Sequence, residues 1–179
     1  VGRDVVRGQY RAGTIDGQPA LGYLDEAKVP EGSATETFVA LRTEVQSWRW
    51  AGVPFYLRTG KALPHRASEI AVQFKDIPQI LFNANAQHPQ PPNVLALRIQ
   101  PEEGLSLRIV SRVPGTREQT HPVEMDFQYS DVFGRPSPEA YERLLLDVMA
   151  GDASRFMRRD AVEASWAWIT KILDGWRRQ

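Results

Sequence analysis

From Pro54 to about residue 130 the chain alternates apolar and polar side chains with a period of two. The runs are Phe55 and Leu57; Ile70, Val72 and Phe74; Leu95, Leu97 and Ile99; Leu105, Leu107 and Ile109; and Val123, Met125, Phe127 and Tyr129. Successive side chains of a strand point to opposite faces, so such runs predict strands with one face buried. Joined by connections that carry Pro or Gly, they predict a mostly antiparallel sheet of at least five strands. The stretch 77–92, rich in Gln, Asn and Pro, reads as a long connection.

Helical signals flank this region. Ser33-Ala34-Thr35-Glu36 has capping-box spacing, and Phe38, Leu41, Val45 and Trp48 follow at helical intervals. Thr35, Thr37, Val39 and Thr43 favour β structure instead, so 33–48 reads either as a short amphipathic helix or as a helical start running into a strand. After the sheet, Ser137-Pro138-Glu139 predicts a helix start, with Tyr141, Leu144, Leu145 and Val148 as its stripe and Gly151 as its stop. A second helix from about Asp160 places Val162, Trp166, Ile169 and Leu173 on one face. Residues 1–30, punctuated by Gly8, Gly13, Asp16-Gly17 and Gly22, read as an extended arm with room for a short hairpin. The expectation is an α+β fold in a single domain, 1–179: a large, mostly antiparallel sheet with helices packed on one face.

Composition removes several classes of function. The 22 basic and 22 acidic residues balance, so the excess of cations that nucleic-acid binding requires is missing. With no cysteine, the chain can form no disulfide, thiolate nucleophile or Cys-ligated metal site, and no metal site is expected. A reducing, cytoplasmic setting fits. No apolar run approaches the ~20 residues of a membrane helix, and the amino end lacks the apolar stretch of a signal peptide. A start at Val1 rather than Met suggests a processed or excised product.

The chemistry-bearing stretch is VPFYLRTGKALPHRASEIAVQF, 53–74. A strand that delivers Arg58, turns at Gly60 and presents Lys61 and Arg66 can gather three cations near one loop. Arg offers a planar fork for phosphate oxygens, Lys a compact charge, and Gly60 a close backbone approach. A phosphomonoester uses all of these; solvated surface cations are the alternative. His65, His88 and His121 each adjoin a proline in expected loops and read as surface residues, His65 nearest the cationic loop. The pairs Glu102-Glu103 and Glu142 with Asp147 read as solvated charge, Arg155, Arg158 and Arg159 as decoration of a helix boundary, and the tryptophans as core and interface packing.

VPFYLRTGKAL resembles the segment VPFxLRxGKxL of glucose-6-phosphate dehydrogenases. VRGQY at 6–10, GYLDE at 22–26, VPEGSATETF at 29–38, LRIQP at 97–101 and EAYERLLLDVMAGDASRFMRRDAVEASW at 139–166 match in the same order. The resemblance covers nearly the whole chain and points to the C-terminal part of such an enzyme. It implies that Lys61, Arg66 and Gln100 hold glucose 6-phosphate. It also implies oxidation to 6-phosphogluconolactone with NADP as coenzyme, the first oxidative step of the pentose phosphate pathway. A homodimer contact through the sheet's other face would explain apolar residues on both faces, such as Val72 beside Ala71 and Val110 beside Ile109. Some relatives hold a second, structural NADP, for which the matching positions are Arg58, Arg98, Arg108 and Asp126; Ala67, Ala71 and Ser106 depart from the basic or aromatic contacts of that site.

The family's Gly-rich dinucleotide loop and its DHYLGKE segment with the later catalytic histidine have no counterpart here, so no catalytic residue is assigned and this stretch by itself is expected to be inactive. The end at LDGWRRQ also precedes the tail that the family usually carries. The competing reading is a non-catalytic phosphosugar-binding or scaffolding module, which a natural start codon near Val1 would favour.

Overall fold

A computed structural model describes residues 4–15, 17–76, 91–116, 119–134 and 140–178. In chain order the elements are β1 (Val5–Gly8), β2 (Gly13–Ile15), β3 (Gln18–Ala20), β4 (Phe38–Glu44), β5 (Pro54–Gly60), β6 (Ser68–Gln73), β7 (Val94–Gln100), β8 (Gly104–Arg112), β9 (Thr120–Gln128), α1 (Tyr129–Phe133), α2 (Ala140–Ala150) and α3 (Arg159–Arg177), with a short 3-10 turn at Tyr23–Asp25. The sheets are antiparallel, as the alternation predicts. The chain forms two compact units, Val1–His65 with Met157–Gln179, and Arg66–Phe156.

The first unit carries a three-stranded sheet in the order β1-β4-β5 and a β2–β3 hairpin. The amino-terminal arm is stitched down rather than loose. β1 pairs with β4 from Val5↔Leu41 to Gly8↔Phe38. The Gln9 amide then donates to the Ser33 and Thr35 carbonyls (2.7 and 2.8 Å). The helical reading of 33–48 fails here. Thr35 N–H donates to the Ser33 hydroxyl, which also bonds Tyr23, so it does not cap a helix. The β-branched residues then extend into β4, which finds a partner strand on each side; paired backbone outweighs a local capping signal. Trp48, expected on a helix stripe, lies fully exposed in the turn before β5. Leu41 and Trp176 are the buried apolar side chains among the described residues. The Arg7 guanidinium lies 5.2 Å from the Trp176 ring centroid, which joins α3 to the sheet face shared by Arg7 and Leu41.

The second unit carries a four-stranded sheet in the order β6-β7-β8-β9. Residues directly opposite share a face. Ile70, Leu97, Leu105 and Phe127 are in register on one face, as are Val72, Leu95, Leu107 and Met125. The other face presents Ala71, Ala96, Ser106 and Asp126 in one row, with Glu69 and Arg98 in the next. The expected runs therefore lie in two sheets, since Phe55 and Leu57 pair with β4 instead of joining β6–β9. The last run ends at Gln128, and Tyr129 opens α1 instead. Gly134, at φ 65, closes that helix, and the Phe127, Tyr129 and Phe133 rings pack in sequence. α2 ends before Gly151, at φ 70, as expected, while its predicted start at 137–139 lies outside the described residues, as does 77–90 of the long connection. No helix among the described residues is long and apolar enough to cross a membrane.

Candidate functional site

Arg58 and Lys61 arise from the end of β5 in the first unit. Arg58 pairs with Ala40, and Gly60 with Phe38. Beyond Gly60 the backbone leaves the strand in a fixed way. Lys61 N–H donates to the Thr37 carbonyl at 2.8 Å, and Ala62 turns through the left-handed region at φ 52, a conformation that costs a residue with a Cβ about 1–2 kcal/mol. Lys61, His65 and Arg66 are all exposed.

Arg66 opens the second unit, just ahead of β6, where Ser68 stands opposite Gln100. The register shifts between Ser68 and Glu69, so Glu69 pairs with Arg98 and Ile99 is left as an extra residue. A bulge of this kind re-aims a neighbouring side chain. Here the Gln100 amide donates to the Ser68 hydroxyl at 2.9 Å. Arg66 and Gln100 thus belong to the same end of the β6–β7 pair. Lys61 belongs to the other unit.

The remaining sequence-predicted residues divide differently. Arg98 Nη2 donates to Asp126 at 2.5 Å and to the Phe127 carbonyl at 3.3 Å, while its Nε is buried without a partner. Gly104, opposite Arg98, makes this possible, since a Cβ there would lie 2.8 Å from Arg98 Nη2 and 2.5 Å from the Phe127 carbonyl oxygen. Arg108 stands opposite Glu124. Arg98 therefore meets a carboxylate of β9, a pairing that sequence spacing alone does not reveal.

His121, expected in a loop, lies within β9 opposite Ser111, and His88 is outside the described residues. The acidic pairs have cationic neighbours: Arg143 reaches Glu103 at 3.3 Å, and Arg155 holds Asp147 at 2.9 and 3.0 Å. No group of three or more His, Cys, Asp or Glu side chains that could hold a metal occurs among the described residues.

These features define an α+β protein of antiparallel sheets that sets exposed cations and an amide side chain at strand ends, suited to holding an anionic, polar ligand. Comparison with known proteins narrows the class. Residues 1–179 match the family described as "Glucose-6-phosphate dehydrogenase, C-terminal domain". Glucose-6-phosphate 1-dehydrogenase of Aggregatibacter actinomycetemcomitans is 51% identical over 174 residues, 97% of this chain and 34% of that protein. Its namesake from Mycolicibacterium smegmatis is 46% identical over 175 residues, 98% of this chain and 35% of that protein. A solved glucose-6-phosphate dehydrogenase in complex with its substrate glucose-6-phosphate superposes with a TM-score of 0.81 at 36% identity, covering 96% of this chain and 34% of that one. The chain belongs to the glucose-6-phosphate dehydrogenase C-terminal domain family, and spans about a third of the length of these relatives.

Proposed function

We propose that this chain is the sugar-phosphate-binding and subunit-contact part of an NADP-dependent glucose-6-phosphate dehydrogenase, an oxidoreductase of carbohydrate metabolism in a reducing, cytoplasmic setting. The observation that carries the reading is the presentation of Lys61 at the end of β5, within VPFYLRTGKAL, in a fold close to that of a substrate complex. Lys61 and Arg66 hold the phosphate, and Gln100, steadied by Ser68, meets the polar side of the ligand. None of these groups takes part in bond making. Their contribution is orientation, since binding energy from the non-reacting phosphate positions C1 for oxidation. When bound, the nicotinamide coenzyme would supply the hydride acceptor for C1, and it would be held mainly by a part of the full protein outside these residues.

Arg58, Arg98, Arg108 and Asp126 are not assigned to a second, structural NADP. Arg98 is already neutralised by Asp126 and Arg108 stands opposite Glu124, while Ala71 and Ser106 add no charge to that face. With Arg98 committed to Asp126, these residues offer a 2′-phosphate fewer cations than such a site would use.

Lys61→Ala in the full-length enzyme is expected to raise the KM for glucose 6-phosphate by at least tenfold, the order of one lost charge-assisted hydrogen bond, with the KM for NADP⁺ little changed. Unaltered glucose 6-phosphate kinetics would remove Lys61 from the site and with it the proposal.

A further inference from the structure

Phe38 stands between two glycines in register, Gly8 of β1 on one side and Gly60 of β5 on the other. The two are not equivalent. A Cβ added at Gly60 would lie 2.9 Å from Phe38 Cδ2 and 3.4 Å from Leu63, whereas one added at Gly8 would meet nothing within 4 Å. The Phe38 ring therefore leans over Gly60 and fills the space where a side chain would stand, a cross-strand aromatic–glycine pair of the kind that braces an edge strand. Gly60 does not take a left-handed φ, so the ring above it, rather than backbone freedom, is what demands glycine.

The residue before Phe38 completes the device. The Thr37 carbonyl accepts the Lys61 N–H at 2.8 Å, and Thr37 is itself held, its N–H donating to the Gly8 carbonyl at 2.9 Å and its hydroxyl accepting from Tyr10 N–H at 3.0 Å. We infer that Phe38 is a positioning residue for glucose 6-phosphate binding: its ring seated on Gly60 and the adjoining Thr37 carbonyl together fix where Lys61 leaves the strand. This rests on the reading of Lys61 as a phosphate ligand.

The test uses the full-length enzyme. Gly60→Ala pushes ring and strand end apart and is expected to raise the KM for glucose 6-phosphate about tenfold with the KM for NADP⁺ unchanged, because small misplacements of a positioning group are costly. Phe38→Leu in the Gly60→Ala background makes room for the new Cβ and recovers most of that loss. Gly8→Ala, on the open side of the same ring, keeps the carbonyl that holds Thr37 and is expected to raise the KM for glucose 6-phosphate far less than Gly60→Ala does. If Gly60→Ala does not accumulate as folded protein, Phe38→Leu alone carries the test, with a severalfold rise in the same KM expected. An unchanged KM for glucose 6-phosphate, a fall in kcat alone, or a double variant as impaired as the single would overturn the inference while Lys61→Ala still raises that KM. A Lys61→Ala enzyme with wild-type kinetics would overturn the proposed function itself.

Discussion

At the scale of single residues, function and structure compete for the same charges. Arg98 sits in the segment LRIQP, where the family resemblance suggests a ligand contact, yet the fold turns its guanidinium onto Asp126 and the Phe127 carbonyl. Nothing in the spacing of 98 and 126 announces that pair, because it depends on β8 lying between their strands in one particular register. Tyr10 is a second case. Its phenol donates to Glu26 at 2.5 Å, and the carboxylate that accepts this bond holds Tyr10 above the ordinary tyrosine range. A folded pKa raised in this way gives a contribution that is complete below the unfolded value of about 10 and is lost as pH rises through the higher folded value. Tyr10→Phe is expected to remove one late-ionising phenol from a spectrophotometric titration and to lessen the loss of stability at alkaline pH. A titration curve with the same late fraction as the wild type would contradict this.

At the scale of elements, the period-two runs locate β6 to β9 closely, because alternation is imposed by the strand itself and needs no knowledge of its partners. The stretch 33–48 is ambiguous in sequence for the opposite reason. Its capping-box spacing and its β-branched residues are both local signals, and the choice falls to β1 and β5, which supply backbone partners on the two sides of β4. Tyr129 left the strand because Gly134 could close a turn of helix behind it. The β7–β8–β9 register depends on Gly104, whose missing side chain admits both the Arg98 guanidinium and the close approach of the Phe127 carbonyl. Gly104→Ala puts a methyl 2.5 Å from a backbone oxygen that cannot swing aside. It is expected to destabilise the protein by about 1–3 kcal/mol, the usual cost of overpacking, seen as a lower midpoint of denaturant unfolding. A midpoint equal to the wild type would show that β9 can shift freely.

At the scale of the whole molecule, the apolar face of the β6–β9 sheet is only half covered within this chain, with Ile70 54% and Met125 52% exposed. Apolar surface of that extent is a liability until something packs on it. The proposed homo-oligomer, in contact through the sheet, would bury apolar surface of this part of the protein. Equilibrium sedimentation of the full-length protein should therefore show a dimer or higher oligomer, and a strictly monomeric protein at high concentration would count against it. The sequence by itself determined the strands, the alternating faces, the late helices and the family, since periodicity and motif are written along the chain. It also marked Lys61, Arg66 and Gln100 as residues of interest. Only the tertiary structure decided that the expected runs fall into separate sheets, that Arg98 is spent on Asp126, and that Phe38 rests on Gly60. Each of these depends on which distant segment becomes a neighbour, and that is settled by pairing and packing across the whole fold rather than by any local pattern.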